Sequence, residues 1–284
     1  MYRRYESSFE SFDKTRIFYQ GWESADPEAF IIVTHGQGEH SECYHRLVEY
    51  FDEQRFSFWA WDMRGHGKSA GIRGYANDFQ DYVKDYLKFL EIILKQIPSG
   101  KPIFLLAHSM GALVQNMGLL ERSQKEFQAQ ILSAPLFGIA VEVPAFKKMA
   151  AEWLQNVLPK ITLSTGLKNE MLTRDPDVMR EFDKDPLRHD RVSSGVYLGF
   201  LKTFPYILEH AGQIQLPTFL LCPEKDPVVS TEATLAWVKK LGSPDKKYLI
   251  YGDGARHEMF NDTHRLTVFK DLHDYLSSHL KESP

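Results

Sequence analysis

Ile103-Phe104-Leu105-Leu106-Ala107-His108-Ser109-Met110-Gly111-Ala112 reads as a buried strand that runs into a helix through a single serine. Ala107 and Gly111 are small on either side of that serine, as a tight turn with close backbone contact requires. The turn pushes the Ser109 hydroxyl outward, and the helix start beyond it offers unpaired N-H groups to a developing anion. The pattern is G-x-S-x-G with Ala in its first place.

Outward from this turn, short apolar runs alternate with helical patterns. The runs are Phe30 to Val33, Phe56 to Trp61, Ile103 to Leu106, Ile131 to Leu132, Thr218 to Cys222 and Lys247 to Tyr251. They are short enough for strands covered on both faces, the condition of a parallel sheet. Helices are expected over Tyr44 to Phe51, Phe79 to Ile97, Met110 to Arg122, Thr231 to Leu241 and Thr263 to Leu280. With an antiparallel hairpin from about Tyr5 to Trp22, this predicts a doubly wound, mostly parallel α/β sheet of about eight strands. The alternation stops within residues 136–205, which read as helices without strands. The expected organisation is a core of residues 1–135 and 206–284 with a helical cap inserted between them. Inside the cap, Val143, Phe146, Ala150, Trp153, Leu154, Val157, Leu158 and Ile161 recur at helical spacing, with Lys147, Lys148, Glu152 and Lys160 on other faces. That stripe either packs on the core or faces an acyl channel or a lipid surface.

A serine hydroxyl needs a base to become a nucleophile. In a protein with such a turn the base follows the last strand, and the carboxylate that orients it lies between. Tyr248-Leu249-Ile250-Tyr251-Gly252-Asp253-Gly254-Ala255-Arg256-His257 supplies that strand and loop, which makes His257 the candidate base. His108 is adjacent to the serine and is expected to point away. After the strand Thr218 to Cys222, Asp226 is the candidate carboxylate, with Glu224 and Asp253 as rivals. The loop Thr34-His35-Gly36-Gln37-Gly38-Glu39-His40-Ser41 has glycine on both sides of Gln37, so the backbone N-H groups of Gln37 and Met110 are the candidate oxyanion donors. His35, His40 and His45 are spaced by five, which fits no usual ligand pattern, and no metal is expected.

Composition narrows the class. The chain has 284 residues, 43% of them hydrophobic and 25% charged, enough for a large core. A formal charge of -4 with dispersed Lys and Arg argues against a nucleic-acid partner. No apolar stretch reaches the about 18 residues of a membrane span, and none follows the N-terminal charges as a secretion signal would require. Two cysteines, Cys43 and Cys222, fit buried thiols in a reducing compartment, so a cytoplasmic protein with a peripheral membrane contact through the cap is expected.

Taken together, Thr34 to Ser41, Asp62-Met63-Arg64-Gly65-His66-Gly67-Lys68-Ser69, the Ala-His-Ser-Met-Gly turn, Lys184-Asp185-Pro186-Leu187 and Arg256-His257-Glu258 resemble the monoacylglycerol lipase and lysophospholipase branch of the serine α/β-hydrolases. The resemblance runs from about Tyr5 to the last helix. It implies an α/β-hydrolase fold and cofactor-free hydrolysis of a single-chain lipid ester through an acyl-enzyme. Ser109, Asp226 and His257 would form the triad, Gln37 and Met110 the anion site, and Glu39 would lie near the glycerol end. Two departures matter: Cys43 stands where such lipases have Arg, and Phe182 where they tend to have Tyr. The cap's Arg174, Arg180, Arg188 and Arg191, with Lys147 and Lys148, then open the prospect of a phosphate-bearing head group. The alternatives are a carboxylesterase or thioesterase for small soluble substrates, or a binding protein that keeps the fold without chemistry. A serine at the turn excludes the carboxylate chemistry of dehalogenases and epoxide hydrolases.

Overall fold

Alternating side chains of each central strand enter two separate apolar cores, which explains why the strands read as unbroken hydrophobic runs. Ile32 and Leu105 pack on one side of the sheet, and Ile31, Val33, Phe104 and Leu106 on the other. The computed structural model describes residues 2–140 and 145–280, without the side chains of 145–148. The strands are β1 (Arg3–Glu10), β2 (Arg16–Glu23), β3 (Ala29–Thr34), β4 (Phe56–Trp61), β5 (Ile103–His108), β6 (Ala129–Ser133), β7 (Thr162–Ser164), β8 (Arg191–Ser193), β9 (Thr218–Pro223) and β10 (Lys246–Tyr251). Eight of them form one sheet in the order β1-β2-β4-β3-β5-β6-β9-β10. β1, β2 and β4 pair antiparallel, and every other pair in that sheet is parallel. This is the mostly parallel eight-stranded α/β sheet that the sequence predicts.

The helices are α1 (His45–Tyr50), α2 (Gln80–Leu94), α3 (Met110–Leu120), α4 (Ala145–Val157), α5 (Asn169–Leu172), α6 (Pro176–Lys184), α7 (Ser194–Glu209), α8 (Thr231–Lys240) and α9 (Arg265–Leu280). α2, α3, α7 and α8 contribute to the first core, and α1 and α9 to the second. Between β6 and β9 the sequence predicts helices alone. The structure adds a two-stranded antiparallel pair, β7 with β8, too short and too polar to show as a hydrophobic pattern. α7 also runs past residue 205 to Glu209. Val143, and the side chains of Phe146, Lys147 and Lys148, lie outside the described residues. Among the described residues no helix is long and apolar enough to cross a membrane.

The fold brings α3 against the end of β3. A β-carbon on Gly111 would stand 2.3 Å from the His35 carbonyl oxygen and 2.4 Å from that of Thr34, so only glycine fits. Both obstacles are backbone and cannot turn away. Gly111→Ala is therefore expected to destabilise the fold by about 1 to 3 kcal/mol, read as a lower midpoint in urea unfolding. An unchanged midpoint would contradict this account of the contact.

Candidate active site

Ser109 sits at the junction of β5 and α3 with φ +50° and ψ -121°, a conformation that non-glycine residues rarely hold. Backbone bonds on both sides keep it there: Ser109 N donates to Ser133 O at 3.0 Å, and Leu136 N donates to Ser109 O at 3.0 Å. Its hydroxyl meets His257 Nε2 at 2.9 Å, and His257 Nδ1 meets Asp226 Oδ2 at 2.8 Å. Three residues spread over 148 positions of sequence thus form one chain of hydrogen bonds, and all three are buried. The rivals for the carboxylate, Glu224 and Asp253, are both exposed.

The Asp226 oxygens are fully engaged. Oδ1 accepts from Val228 N at 2.8 Å and Val229 N at 3.1 Å, which aims Oδ2 at the imidazole. Burial alone would raise the Asp226 carboxyl, but His257 and these N-H groups hold it below its ordinary value. Burial alone would lower His257, and the Asp226 carboxylate outweighs it, so the imidazole lies above its ordinary value. His108 does not point away as expected. Its ring lies 4.7 Å from that of His257, centroid to centroid, and its Nδ1 donates to Ser133 O at 3.0 Å. Burial, reinforced by His257, pushes His108 down to about 3, so it stays neutral beside the other imidazole.

The loop after β3 runs directly over the serine: a β-carbon on Gly36 would stand 3.0 Å from Ser109 Cβ. Several partners fix it. Gly36 N donates to Glu39 Oε1, and the Tyr44 hydroxyl donates to the same oxygen at 3.0 Å. His35 Nε2 accepts from Met63 N at 2.9 Å, and Asp62 accepts from Ser41 N and Lys68 N at 2.7 Å each, which ties the Asp62 to Ser69 stretch to this loop. The Gln37 side chain turns away and donates to Arg191 O at 2.7 Å. Gly38, at φ +80°, accepts from His189 N at 2.9 Å; a β-carbon there would lie 2.1 Å from His189 O.

Ser109 and His257 open onto a cavity of about 740 Å³. Leu136, Ala151, Leu154, Leu163, Val192 and Phe200 give it apolar walls, and Glu39, Arg188 and Glu258 form a charged cluster in its lining. Sequence reading singled out Arg188, the centre of this cluster, but not the partner that engages it. Arg188 donates to both oxygens of Glu258, contacts Cys43 Sγ at 3.3 Å, and lies 3.6 Å over the Phe182 ring. A guanidinium from the segment between β6 and β9 thus occupies the space beside Cys43 and Phe182, the two departures from the family pattern. Burial and the neighbouring Glu258 push the Glu39 carboxyl up to about 7. The other arginines of that segment are engaged as well: Arg174 with Asp262, Arg180 with Asp177, and Arg191 with Thr162. They present no free cluster for a phosphate.

Among the described residues one set of side chains has metal-ligand proximity. Donor atoms of His40, Cys43 and Asp185 lie within 4.8 Å of one another. His40 Nε2 is already bonded to Asp185 Oδ2 at 2.8 Å, and the Arg188 guanidinium lies against the thiol. A cation there would face that fixed positive charge, so the set is a poor metal site. Cys43 and Cys222 are buried free thiols.

Beside the loop lies a group of imidazoles, His35 and His66 buried and His189 half-buried. The ring centroids of His35 and His66 are 5.2 Å apart, and those of His66 and His189 are 4.6 Å apart. Burial lowers His35 to about 3, His66 well below its ordinary value and His189 to about 4. With His108, four histidines take up protons near pH 6.5 when unfolded but not when folded. Their contribution is complete above pH 6.5 and is lost as pH falls toward 4. Glu39, raised to about 7, gains stability as pH falls toward its unfolded value and offsets one of the four, whereas His257, also raised, completes its gain by pH 6.5 and offsets none below it. The net expectation is a loss of about 1.4 kcal/mol per pH unit for each uncompensated histidine. Urea midpoints measured from pH 7 to pH 4.5 should fall steadily, and a flat series would refute the assignment.

The chain is similar to known proteins over most of its length. The family model described as serine aminopeptidase, S33, matches residues 25–264. A monoacylglycerol lipase of Mycolicibacterium smegmatis is 28% identical over 280 residues, covering 98% of each chain. A phospholipase of Bacillus subtilis is 28% identical over 250 residues, 88% of this chain and 95% of its own. The crystal structure of a monoacylglycerol lipase from Paleococcus ferrophilus superposes with a TM-score of 0.79 at 26% identity, covering 98% of this chain and 99% of that one. The family match spans well over half of the sequence, and the chain belongs to the serine aminopeptidase S33 family of α/β-hydrolases.

Proposed function

We propose that the protein hydrolyses the carboxylic ester of a single-chain lipid with an uncharged polar head, a monoacylglycerol, through an acyl-enzyme on Ser109. The observation that carries this reading is the Ser109, His257, Asp226 hydrogen-bond chain opening onto a largely apolar cavity of about 740 Å³. Ser109 Oγ attacks the ester carbonyl carbon while His257 Nε2 takes its proton. The oxyanion is received by the backbone N-H groups of Gln37 and Met110, each such donor being worth about 3 kcal/mol. Collapse breaks the ester C-O bond, and the leaving alkoxide takes the proton from His257. Water, deprotonated by His257, then attacks the acyl carbon and frees Ser109 and the fatty acid. Asp226 holds the imidazole in the required tautomer throughout.

Electrostatics selects the head group. The Arg188 charge is matched by Glu258, and Glu39 adds a second carboxyl that is partly ionised at neutral pH. A phosphate would meet carboxylates without a free cation, whereas a glycerol hydroxyl can donate to one and accept from a guanidinium N-H. The acyl chain fits the apolar wall, where each buried methylene is worth about 0.8 kcal/mol.

Residues 136–205 act in this reading as a cap over a core of residues 1–135 and 206–284. On its outer side Met149, Trp153 and Val157 are exposed, with Trp153 at 61%. Leu154 of the same helix lines the cavity, so a peripheral contact of α4 with a membrane delivers substrate to the mouth. Two buried free thiols fit a cytoplasmic setting.

Fluorophosphonate labelling tests the chemistry and a substrate panel the head group. Ser109→Ala should abolish labelling and hydrolysis, and wild-type protein should cleave a monoacylglycerol at least tenfold faster than the lysophosphatidic acid of equal chain length. Preference for the phosphate-bearing lipid, or for short soluble esters, would reject the substrate assignment. Since His257 must be neutral, kcat/KM should fall with an acid limb above pH 6.5. For the surface contact, Trp153→Ser should weaken partition onto phosphatidylcholine vesicles severalfold and leave hydrolysis of a soluble short ester unchanged; equal partition would remove the membrane face.

A further inference from the structure

The loop that carries His257 leaves β10 after Tyr251 and enters α9 at Arg265. Thirteen residues separate the two elements, and Asp253 and Gly254 among them both sit at positive φ. One side chain from outside spans it. Arg174 Nη1 donates to Asp253 O at 2.5 Å, near the start of the loop. Its Nη2 and Nε donate to Asp262 Oδ2 at 2.8 and 3.2 Å, and Nη2 reaches His264 Nδ1 at 2.6 Å, near the end. The Arg174 backbone N-H donates to Asp262 Oδ1 at 2.7 Å. Asp262, itself 1% exposed, also accepts from Arg256 N at 3.2 Å, so the loop closes back on itself through the same carboxylate.

The residues just before Arg174 continue the attachment. Thr173 Oγ1 donates to Asn261 O at 2.9 Å, Glu258 N donates to Leu172 O at 2.9 Å, and His257 N faces Met171 O at 3.4 Å. The base's own main chain is therefore bonded to the same segment that supplies the guanidinium. A flat fork is the group suited to this task, because one rigid plane can bind a carboxylate with two N-H groups and a carbonyl with another.

We infer that Arg174 is a positioning residue for the reaction: by fixing both ends of the 253–264 loop it sets the His257 ring between Ser109 and Asp226. It is absent from the cavity lining and touches no reacting atom. Its effect is transmitted through the placement of the imidazole, where an error of about 1 Å can cost about a hundredfold in rate. The inference rests on the proposed role of His257 as base.

The experiment uses the full chain and a short soluble ester, so that lipid binding and membrane contact do not enter. For wild type, Arg174→Gln and Arg174→Lys, kcat, KM, the rate constant of Ser109 phosphonylation by a fluorophosphonate, and Tm are measured. Arg174→Gln is expected to lower kcat and the phosphonylation rate tenfold or more, with KM within twofold. Arg174→Lys should recover part of both, because an ammonium can neutralise Asp262 but cannot span to Asp253 as a fork does. A folded Arg174→Gln protein with wild-type kcat and phosphonylation rate, or a loss confined to KM or Tm, overturns the inference. If Arg174→Gln fails to fold, Arg174→Lys decides alone: an intermediate kcat supports the positioning role and a wild-type kcat rejects it. Wild-type protein that the probe leaves unlabelled overturns the reading of Ser109 and His257 themselves, which separates that failure from this one.

Discussion

The first turn of α3 approaches the end of β3 so closely that the Thr34 and His35 carbonyls leave no room for a side chain at position 111. This contact holds the Ser109 backbone in its strained conformation and, in the same stroke, brings Gly36 against the Ser109 β-carbon. Strain at one residue persists because the surroundings over-determine it: Ser133 and Leu136 bond the serine's own backbone, and β5 is paired on both sides. The remaining parts of the site are then a matter of delivery. Asp226 and His257 arrive from the ends of β9 and β10, parallel neighbours further along the sheet, so the strand order alone carries them to the same edge as the serine.

Buried charge is the second constraint. Arg188, Glu258 and Glu39 lie beside His257 where water is scarce, and removing one partner of such a pair typically costs about 3 to 5 kcal/mol. The Glu39 carboxyl has a further duty, since the Gly36 N-H and the Tyr44 hydroxyl both donate to it and so fix the loop that covers Ser109. Charge and loop geometry are thereby coupled at the point where the oxyanion is proposed to form.

Much of this was legible in the sequence because the informative residues sit at punctuation points. Unbroken apolar runs gave the central strands, and the small residues flanking Ser109 gave the turn. Where the sequence reading fell short, a polar residue had a concealed partner. β6 begins at Ala129, two residues earlier than the apolar run, because Gln130 inside it is satisfied by Gln115, Asn116 and Thr218. Arg188 read as one of several arginines open to a phosphate-bearing head group because its partner, Glu258, lies 70 positions away and no local pattern joins them. The pair β7 and β8 was invisible for the opposite reason, since three-residue strands carry no period. The hint that existed was the charge of Glu258 directly after the candidate base: a carboxylate in so buried a place requires a cation.

The attachments of the segment between β6 and β9 are unevenly distributed, and this bears on how substrate enters. Residues 171–190 are fastened to the core by Arg174 with Asp262, Arg265 with Asp175, His40 with Asp185 and Arg188 with Glu258. α4, in contrast, packs chiefly on α7 and leaves Met149, Trp153 and Val157 in solvent. Opening at the 171–190 side would strip Glu258 of its countercharge beside His257 and release the loop that carries the imidazole. Among the described residues α4 makes no hydrogen bond or ion pair with another element, so displacing it would break apolar contacts of the kind a lipid surface can replace. Access by way of α4 would therefore leave the hydrogen-bond chain assembled while the cavity is open, so that a bound ester would meet the proposed base already in position.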